Sequence, residues 1–255
     1  MTLKDLDLST RRKYTRMSPT LISAFPNSGK SAAVEFLSDD DKARTILVDT
    51  EAKGLPNDFG DEYRTIVRLK PTMISPEKKH LYIDYDNVKY KTLTELQIYL
   101  RAALAHEEVD RVVLDSFTAL VDQLELHFVT VNSGFTTWAN YSKELTEWFS
   151  LFKEEARFHG KYLYVLGHYR PSKPDKDGKV DTEAEKFTVV KGTMHYRLVE
   201  SNFNCVITVE DHKFKADNDN PFDSSRIHKK MSPYESEENS IAEFEQAIVD
   251  TLVSA

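Results

Sequence analysis

Residues 24–31 read A-F-P-N-S-G-K-S and lie between the apolar run 21–23 and the segment A-A-V-E-F-L. This spacing is typical of a phosphate-binding loop, in which backbone N–H groups surround phosphate oxygens at a strand–helix junction. Lys30 would neutralise β- and γ-phosphate oxygens there, and the Ser31 hydroxyl would ligate Mg²⁺. Ala24 stands where glycine usually opens the motif, and alanine is tolerated if its φ is negative. The predicted nucleotide-binding residues are Ala24, Phe25, Pro26, Asn27, Ser28, Gly29, Lys30, Ser31 and Ala32.

Two other apolar runs end in carboxylates. V-V-L-D-S at 112–116 predicts a strand that ends at Asp115, which fits the Walker B role of holding the Mg²⁺ shell. An aspartate before a serine is also typical of a helix cap. I-L-V-D-T-E at 46–51 places Glu51 where a carboxylate faces the γ-phosphate and orients a water for in-line attack. The alternative for Glu51 is a solvated loop residue or the partner of a lysine.

The motif G-H-Y-R at 167–170 follows the apolar run Y-L-Y-V-L. His168 at this strand end is a candidate sensor of the γ-phosphate, and the alternative is a structural histidine that makes hydrogen bonds. None of the eight histidines pairs with Cys, Asp or Glu at a zinc-binding spacing. The sequence therefore predicts no metal site built from protein ligands alone.

The elements that must position these residues alternate along the chain. Apolar runs without polar alternation predict strands that are covered on both faces of a parallel sheet. The predicted strands cover 20–25, 45–51, 111–116, 161–170 and 204–215, with a hairpin or sheet edge around the D-N pair of 80–92. The predicted helices cover 29 to about 39, 93–104, 135–159, 192–201 and 240–252.

With 255 residues, the chain is expected to form one α/β domain. Residues 1–18 are interpreted as an N-terminal polar arm, and residues 19–255 as the domain. Within that domain, the polar tract at 171–191 is predicted to be a mobile loop and 240–252 a C-terminal helix.

Charge and cysteine content narrow the function classes. The chain has 34 basic and 42 acidic residues, so its net charge of -8 disfavours a protein that coats nucleic acid by bulk charge. Any DNA contact would need a local patch. The only cysteine, Cys205, lies in the apolar run C-V-I-T-V and is expected to be a buried thiol in a reducing compartment. The absence of a signal-peptide pattern and of a long apolar run predicts a cytoplasmic protein without membrane contact.

Taken in order, the motifs A-x4-G-K-S, V-D-T-E-A, V-V-L-D-S-F-T-A-L and Y-V-L-G-H-Y-R resemble the core of RecA-type recombination ATPases. Over residues 18–215 the chain is most similar to the small single-domain RecA-like ATPases of phages, which are grouped with phage-type AAA domains and linked to single-strand annealing recombination. The resemblance implies a RecA-like P-loop NTPase fold, with a mostly parallel central sheet and helices on both faces. It also implies ATP and Mg²⁺ as cofactors, and a host-cytoplasm location if the gene belongs to a phage.

The resemblance also implies partners and residue roles. The partners are single-stranded DNA, further copies of the chain in a filament or ring, and a single-strand DNA-binding or annealing protein. Lys30, Ser31 and Asp115 match the phosphate and Mg²⁺ residues, and Glu51 matches the glutamate that activates water. His168 stands where RecA proteins carry a glutamine that couples nucleotide state to DNA binding.

The resemblance further assigns a neighbour-reaching role and two DNA-binding loops. Lys213 and Lys215 hold the place of basic residues that reach the neighbouring subunit's γ-phosphate, and the alternative is two lysines on an exposed strand. Residues 130–137 and 171–191 correspond to the first and second DNA-binding loops. Five lysines in the second loop are balanced by five acids, so this loop is not a strong electrostatic funnel. Arg170 would add charge, and Phe187 and Phe135 would add base stacking. The candidate DNA-binding residues are Phe135, Arg170, Lys173, Lys176, Lys179, Lys186 and Lys191.

Two other functions fit the same motifs. One is a P-loop kinase that phosphorylates a nucleotide or another small acceptor, although the tract 171–191 lacks the arginines expected of a basic lid. The other is a nucleotide-dependent DNA-binding or loader module with negligible turnover.

Overall fold

The computed structural model describes residues 2–25, 28–35, 37–51, 65–69, 88–91, 93–131, 134–169, 188, 199–219 and 225–253. Within these residues, nine strands form one sheet in the order β4-β3-β2-β5-β6-β1-β7-β8-β9. The strands are β1 (Thr20–Ala24), β2 (Thr45–Asp49), β3 (Thr65–Leu69), β4 (Val88–Lys91), β5 (Arg111–Asp115), β6 (Tyr162–His168), β7 (Cys205–Glu210), β8 (Lys213–Ala216) and β9 (Tyr234–Glu235).

The sheet is mostly parallel. Every neighbouring pair from β4 to β7 is parallel, whereas β8 and β9 are added in antiparallel fashion at the β7 edge. The register pairs Asp49 with Asp115, and Ala24 with His168. The carboxyl ends of the four strands that carry the predicted motifs therefore meet at one edge.

Helices cover both faces of the sheet, as an α/β fold requires. One apolar core lies between the sheet and α3, α4 and α5, and includes Leu100, Phe117 and Trp148. The other lies between the opposite face and the segments around Val34 and Phe244. The α-helices are α1 (Leu8–Tyr14), α2 (Asp39–Lys42), α3 (Leu93–Ala105), α4 (Phe117–Val131), α5 (Phe135–His159) and α6 (Ile241–Ile248).

Strand order creates a switch point between β2 and β5. These strands are neighbours, yet the chain leaves β2 toward β3 and leaves β5 toward β6, in opposite directions across the sheet. In open parallel sheets, a crevice forms outside the carboxyl ends of two strands whose connections diverge in this way. The residues that follow β2 and β5 line that crevice.

The helix predicted from Gly29 to about Asp39 is wrong as a single element. The structure has a 3₁₀ helix at Lys30–Val34 and then the separate helix α2. Ser38 has extended backbone angles, and its side chain accepts a hydrogen bond from the N–H of Asp41. This new N-cap, followed by aspartates in the first turn, starts a second helix in place of continuing the first.

The strand predicted over 204–215 is also divided. Glu210 pairs with Lys213 across a two-residue turn, in which Asp211 and His212 have φ values of 51° and 58°. Positive φ at both central residues is the geometry of a tight hairpin turn, and Asp and His are among the residues that adopt it most readily. The chain therefore reverses where the sequence suggested one continuous strand.

Other sequence predictions have mixed outcomes. The helix 93–104 is confirmed, with Leu96, Leu100 and Leu104 fully buried, and so is the helix 135–159. The helix predicted at 240–252 is α6 followed by a π-helical turn at Val249–Val253. The predicted hairpin around 80–92 and the helix at 192–201 lie mostly outside the described residues, although β4 is at the sheet edge and a 3₁₀ helix spans Val199–Asn202.

The N-terminal residues differ from the expected polar arm. A 3₁₀ helix at Leu3–Asp5 and helix α1 fold onto the domain, and Leu3 and Met17 are buried in the second apolar core. Burial of these side chains makes this segment part of the folded unit. In the part of the chain that the structure describes, no helix is long and apolar enough to cross a membrane.

Candidate functional site

The motif A-F-P-N-S-G-K-S begins at the carboxyl end of β1. Ala24 is the last residue of that strand and is fully buried. Among the described non-glycine residues, only Asp211 and His212 have positive φ, so Ala24 meets the condition under which alanine replaces glycine without strain. Gly29, by contrast, has a φ of 87° and is the residue of the motif that needs glycine.

Lys30 is the first residue of the 3₁₀ helix that follows the motif, and it is buried. Its ammonium group donates to the carbonyl oxygens of Phe25 at 2.8 Å and Ala24 at 3.2 Å. The Ser28 hydroxyl also donates to the Phe25 carbonyl, at 2.8 Å. The lysine side chain therefore folds back over the turn that its own motif forms.

Ser31 and Asp115 meet across two elements of the fold. The Ser31 hydroxyl donates to Oδ2 of Asp115 at 2.6 Å, which joins the start of the 3₁₀ helix to the end of β5. The pair presents a hydroxyl and a carboxylate side by side, and Mg²⁺ prefers such hard oxygen ligands. The described residues contain no group of three or more His, Cys, Asp or Glu side chains that could hold a metal ion. Mg²⁺ usually keeps several water ligands and is bound through one or two carboxylates and substrate phosphates, and the Ser31–Asp115 pair fits that pattern.

Backbone and hydroxyl contacts tie the ends of β2 and β5 together. The Thr50 N–H donates to the carbonyl of Asp115 at 2.7 Å, and the Thr50 hydroxyl donates to the carbonyl of Ser116 at 2.6 Å. The Ser116 N–H donates back to the Thr50 hydroxyl at 2.7 Å. The peptide bond between Asp115 and Ser116 is cis. These contacts fix the residues that flank the crevice at the switch point.

Glu51 lies beside this junction. The Ser116 hydroxyl donates to Oε1 of Glu51 at 2.7 Å and accepts a hydrogen bond from the N–H of Ala119, as a cap for helix α4. His168 Nε2 lies 3.8 Å from the same Oε1 atom, and both side chains are mostly buried. The structure thus brings together Glu51 and His168, which the sequence placed on separate strands.

The strand end that carries His168 contacts neighbouring segments as well. The N–H of His168 donates to the Thr118 hydroxyl at 3.0 Å, and the Tyr169 N–H donates to the Ala24 carbonyl at 3.0 Å. The rings of Tyr169 and Phe25 meet edge to face, with centroids 5.3 Å apart. The end of β6 therefore packs directly on the phosphate-loop motif.

Two contacts on Gly29 come from residues that sequence reasoning missed. The Asn239 amide donates to the Gly29 carbonyl, which also accepts from the N–H of Ala32 at 3.0 Å. A Cβ atom placed on Gly29 would lie 2.8 Å from Nδ1 of His212, at the tip of the β7–β8 hairpin. No local sequence motif marks either contact, since each depends on a tertiary approach of the C-terminal segments.

Lys213 and Lys215 lie on β8 and pair within their own chain. Lys213 Nζ is 3.2 Å from Glu235, and Lys215 Nζ is 3.9 Å from Asp211. Both lysines are partly exposed. They lie on the same hairpin as His212.

The segment 130–137 differs from the loop expected there. Residues 130 and 131 end α4, and residues 135–137 begin α5, so the predicted loop is the short junction of a helical hairpin. Phe117, the first residue of α4, packs on Phe149 and Phe152 in the second half of α5, which makes the two helices antiparallel. Helix α4 is 15 residues long, so the junction lies about 22 Å along the helix from the end of β5.

The remaining DNA-binding candidates lie outside the described parts of the chain. They are Arg170, Lys173, Lys176, Lys179, Lys186 and Lys191, together with the side chain of Phe135. Two predicted nucleotide-binding residues, Pro26 and Asn27, also lie outside the described residues. Within the tract 171–191, Thr188 is described, and its hydroxyl lies 2.8 Å from that of Ser23 on β1.

Comparison with known proteins finds no matching family model and no matching curated protein.

Proposed function

We propose that this protein is a Mg²⁺-dependent P-loop ATPase of the RecA-like type, which acts on single-stranded DNA in phage-type recombination or replication. The observation that carries the proposal is the 2.6 Å contact between Ser31 and Asp115. A phosphate-loop hydroxyl beside a strand-end aspartate is the pairing that P-loop NTPases use to hold Mg²⁺.

The neighbouring side chains support hydrolysis. Ser116 holds one oxygen of the Glu51 carboxylate, beside the crevice where the γ-phosphate would lie. In this position Glu51 would orient the attacking water and accept its proton. Lys30, now bonded to two loop carbonyls, would stabilise the charge that develops on the phosphate oxygens.

A bound Mg²⁺ ion would supply charge neutralisation at the β- and γ-phosphates, with Ser31 and Asp115 as the residues that hold its shell. His168 lies 3.8 Å from the Glu51 carboxylate. Through this contact, movement of Glu51 would shift His168 at the end of β6, and the tract 171–191 follows that strand. This proximity supports the sensor role over a purely structural histidine.

The test is phosphate release from Mg²⁺-ATP, with and without single-stranded DNA, together with a separate measurement of nucleotide affinity. We expect Lys30→Ala to lose nucleotide binding, and Glu51→Gln to bind ATP but lose turnover by about 10²- to 10⁴-fold. Lys153→Ala and Glu154→Gln, on the exposed face of α5, make the same chemical changes away from the site and should leave both quantities unchanged.

Other outcomes would favour the alternative functions. ATP turnover that matches the formation of a phosphorylated small molecule and is unchanged by DNA would indicate a kinase. Tight, magnesium-dependent nucleotide binding without turnover would indicate a loader module. Unchanged affinity and turnover in Lys30→Ala would contradict the assignment of the site itself.

A further inference from the structure

A group of exposed basic side chains lies at the edge of the sheet where β1 and β7 begin. Arg16 precedes β1, and Lys229 and Lys230 follow a short segment that pairs with β7. In that pairing Arg226 and Val206 exchange two backbone hydrogen bonds, at 2.7 and 2.8 Å. Because the bridge is antiparallel, the residues after Arg226 run toward the edge where β7 and its parallel neighbour β1 start. The phosphate loop follows β1 at the opposite edge, so this group belongs to a separate surface.

Buried neighbours anchor the backbone that carries these cations. Met17, the residue after Arg16, is 4% exposed. Ile227 and Met231 are buried on either side of the two lysines, and the N–H of Met231 donates to the His228 carbonyl at 2.7 Å, which closes a turn. Met17, Ile227 and Met231 all lie in the second apolar core. The charged side chains therefore project from ordered backbone, so little backbone freedom would be lost when a partner binds.

Carboxylates do not neutralise the positive charge of this group. Arg16, Lys229 and Lys230 form no ion pair with any other residue that the structure describes. Arg44 and Arg111, by contrast, are each paired with carboxylates. The whole chain has a net charge of -8, so the group is a local excess of positive charge on an acidic protein. An anionic partner would bind here without displacing an existing ion pair.

His228 adds a hydrogen-bond donor beside the cations. Burial and the positive charges of Arg16, Lys230 and Lys229 lower the pKa of its imidazole, so the ring is neutral at pH 7. Nδ1 of the ring accepts a hydrogen bond from the N–H of Lys230 at 3.3 Å, which places the ring proton on Nε2. The neutral imidazole would therefore donate to an oxygen of an anion that the three cations attract.

The chemistry of this group fits the phosphate backbone of duplex DNA. Lysine and arginine side chains that neutralise phosphates supply affinity that does not depend on base sequence. Sites for single strands add aromatic side chains on which the bases stack. Among the described residues, no large apolar side chain in segments 15–17 and 225–231 is exposed. Positive charge without a stacking surface favours a duplex, whose bases are already stacked and whose phosphates face outward.

We propose that Arg16, His228, Lys229 and Lys230 form a basic surface that binds the phosphate backbone of duplex DNA without reading its sequence. The three cations would contact phosphate oxygens, and the imidazole would donate one neutral hydrogen bond beside them. The basic surface lies at the opposite edge of the sheet from the candidate ATP site. The proposal therefore stands whether or not the protein hydrolyses ATP.

The experiment is a fluorescence anisotropy titration of a labelled, mixed-sequence DNA duplex with the full chain, without nucleotide and at several salt concentrations. We expect saturable binding that weakens about five- to tenfold, at about 0.1 M salt, in each of Arg16→Ala, Lys229→Ala and Lys230→Ala. Each variant should also lower the slope of log affinity against log salt by about 1, because one phosphate contact is lost.

Lys153→Ala is the matched control for these variants. It removes the same charge from an exposed position on α5, away from the basic surface, and should leave affinity and salt slope unchanged. Lys30→Ala should also bind the duplex as the wild type does, because it changes the opposite edge of the sheet. Circular dichroism and thermal unfolding of each variant establish that the fold is intact.

Several outcomes would overturn the proposal. They are no saturable binding of the duplex by the wild type, equal weakening in Lys153→Ala and Lys229→Ala, or an unchanged salt slope in all three variants of the basic surface. A single strand of the same length that binds as tightly, and loses as much affinity in these variants, would contradict the assignment to a duplex. Displacement of the duplex by a polyglutamate peptide of equal total charge would indicate an acidic protein segment as the partner instead.

Discussion

The hydroxyl of Ser31 donates to the carboxylate of Asp115 at 2.6 Å, although 84 residues separate them in the chain. The contact exists because β1 and β5 lie on either side of β6, with their carboxyl ends at the same edge of the sheet. Neither residue alone distinguishes a magnesium site from a helix cap. Together they place two hard oxygen atoms beside the phosphate-loop motif, which is the arrangement that a magnesium site requires.

Removing either oxygen should reduce magnesium-dependent ATP turnover more than it reduces nucleotide affinity. We expect Ser31→Ala and Asp115→Asn each to lower ATP turnover by about 10²-fold or more, because each removes a group that would stabilise the transferring phosphoryl charge. Nucleotide affinity measured in EDTA should change little. A magnesium titration of turnover checks this, with Asp39→Asn as the control. Unchanged magnesium dependence in both variants would contradict the assignment.

Gly29 should be the glycine whose replacement damages nucleotide binding. Its φ is 87°, and an added Cβ would lie 2.8 Å from His212. Gly160 also has left-handed angles, but its added Cβ would approach Arg11, far from the motif. We expect alanine at either position to lower the free energy of unfolding by about 1–2 kcal/mol. Nucleotide affinity should fall only in Gly29→Ala, and an equal loss in Gly160→Ala would indicate a general effect of destabilisation.

Asn239 should act as a positioning residue for the phosphate loop. Its amide donates to the Gly29 carbonyl, and in a trans peptide the following N–H, that of Lys30, points the opposite way. Without this bond the Lys30 N–H is less well oriented, so Asn239→Ala should raise KM for ATP several-fold with little change in kcat. Asn218→Ala is the control, since it loses the bond to the Ile227 carbonyl and the bond from the Ile227 N–H, both at 2.8 Å. A fall in kcat at constant KM would contradict a positioning role.

The parts of the site that could be predicted from sequence are those encoded by contiguous residues. Ala24, Lys30 and Ser31 share one motif, and Asp115 and Glu51 each end an apolar run. The local pattern was therefore enough to predict that these residues lie at strand ends on the same edge of the sheet. The bonds from Asn239 and the approach of His212 could not be predicted, because they join positions about 200 residues apart. Such contacts depend on where the β7–β8 hairpin and α6 pack.

The fold shows the same division. Helix α5 was predictable because its buried residues recur at helical spacing, and Trp148 and Phe152 are fully buried as that pattern indicates. The helix after Lys30 was predicted too long, since the capping bond of Ser38 competes with helical continuation. The turn at Asp211 was missed because two polar residues between β-forming runs carry only a weak turn signal without Gly or Asn.

The buried ion pair between Arg111 and Glu245 should make a large electrostatic contribution to stability. Arg111 Nε bonds Oε1 of Glu245 at 2.6 Å, and both side chains are 9% exposed. Burial alone lowers the pKa of Arg111, but the carboxylates of Glu245 and Asp41 outweigh burial and hold that pKa above its ordinary value. Arg111→Met leaves Glu245 buried without its cation, so we expect a loss of about 3–5 kcal/mol in urea unfolding.

That loss should depend on pH in a defined direction. Burial raises the pKa of Glu245, and Arg111 and the Tyr164 hydroxyl oppose that rise. Removing Arg111 leaves only the Tyr164 hydrogen bond to oppose it, so the pKa of Glu245 should rise further. A carboxyl group whose pKa is higher in the folded than in the unfolded state favours the folded protein at low pH. That contribution to the free energy of unfolding is lost as pH rises through the folded-state pKa. The deficit of Arg111→Met should therefore be larger at pH 8 than at pH 5, and Arg111→Met/Glu245→Gln should recover part of it. Arg101→Met, which breaks a more exposed pair with Glu155, should cost less than about 1 kcal/mol at both pH values. A deficit in Arg111→Met that is equally small, or equal at the two pH values, would show that Glu245 does not carry an uncompensated charge.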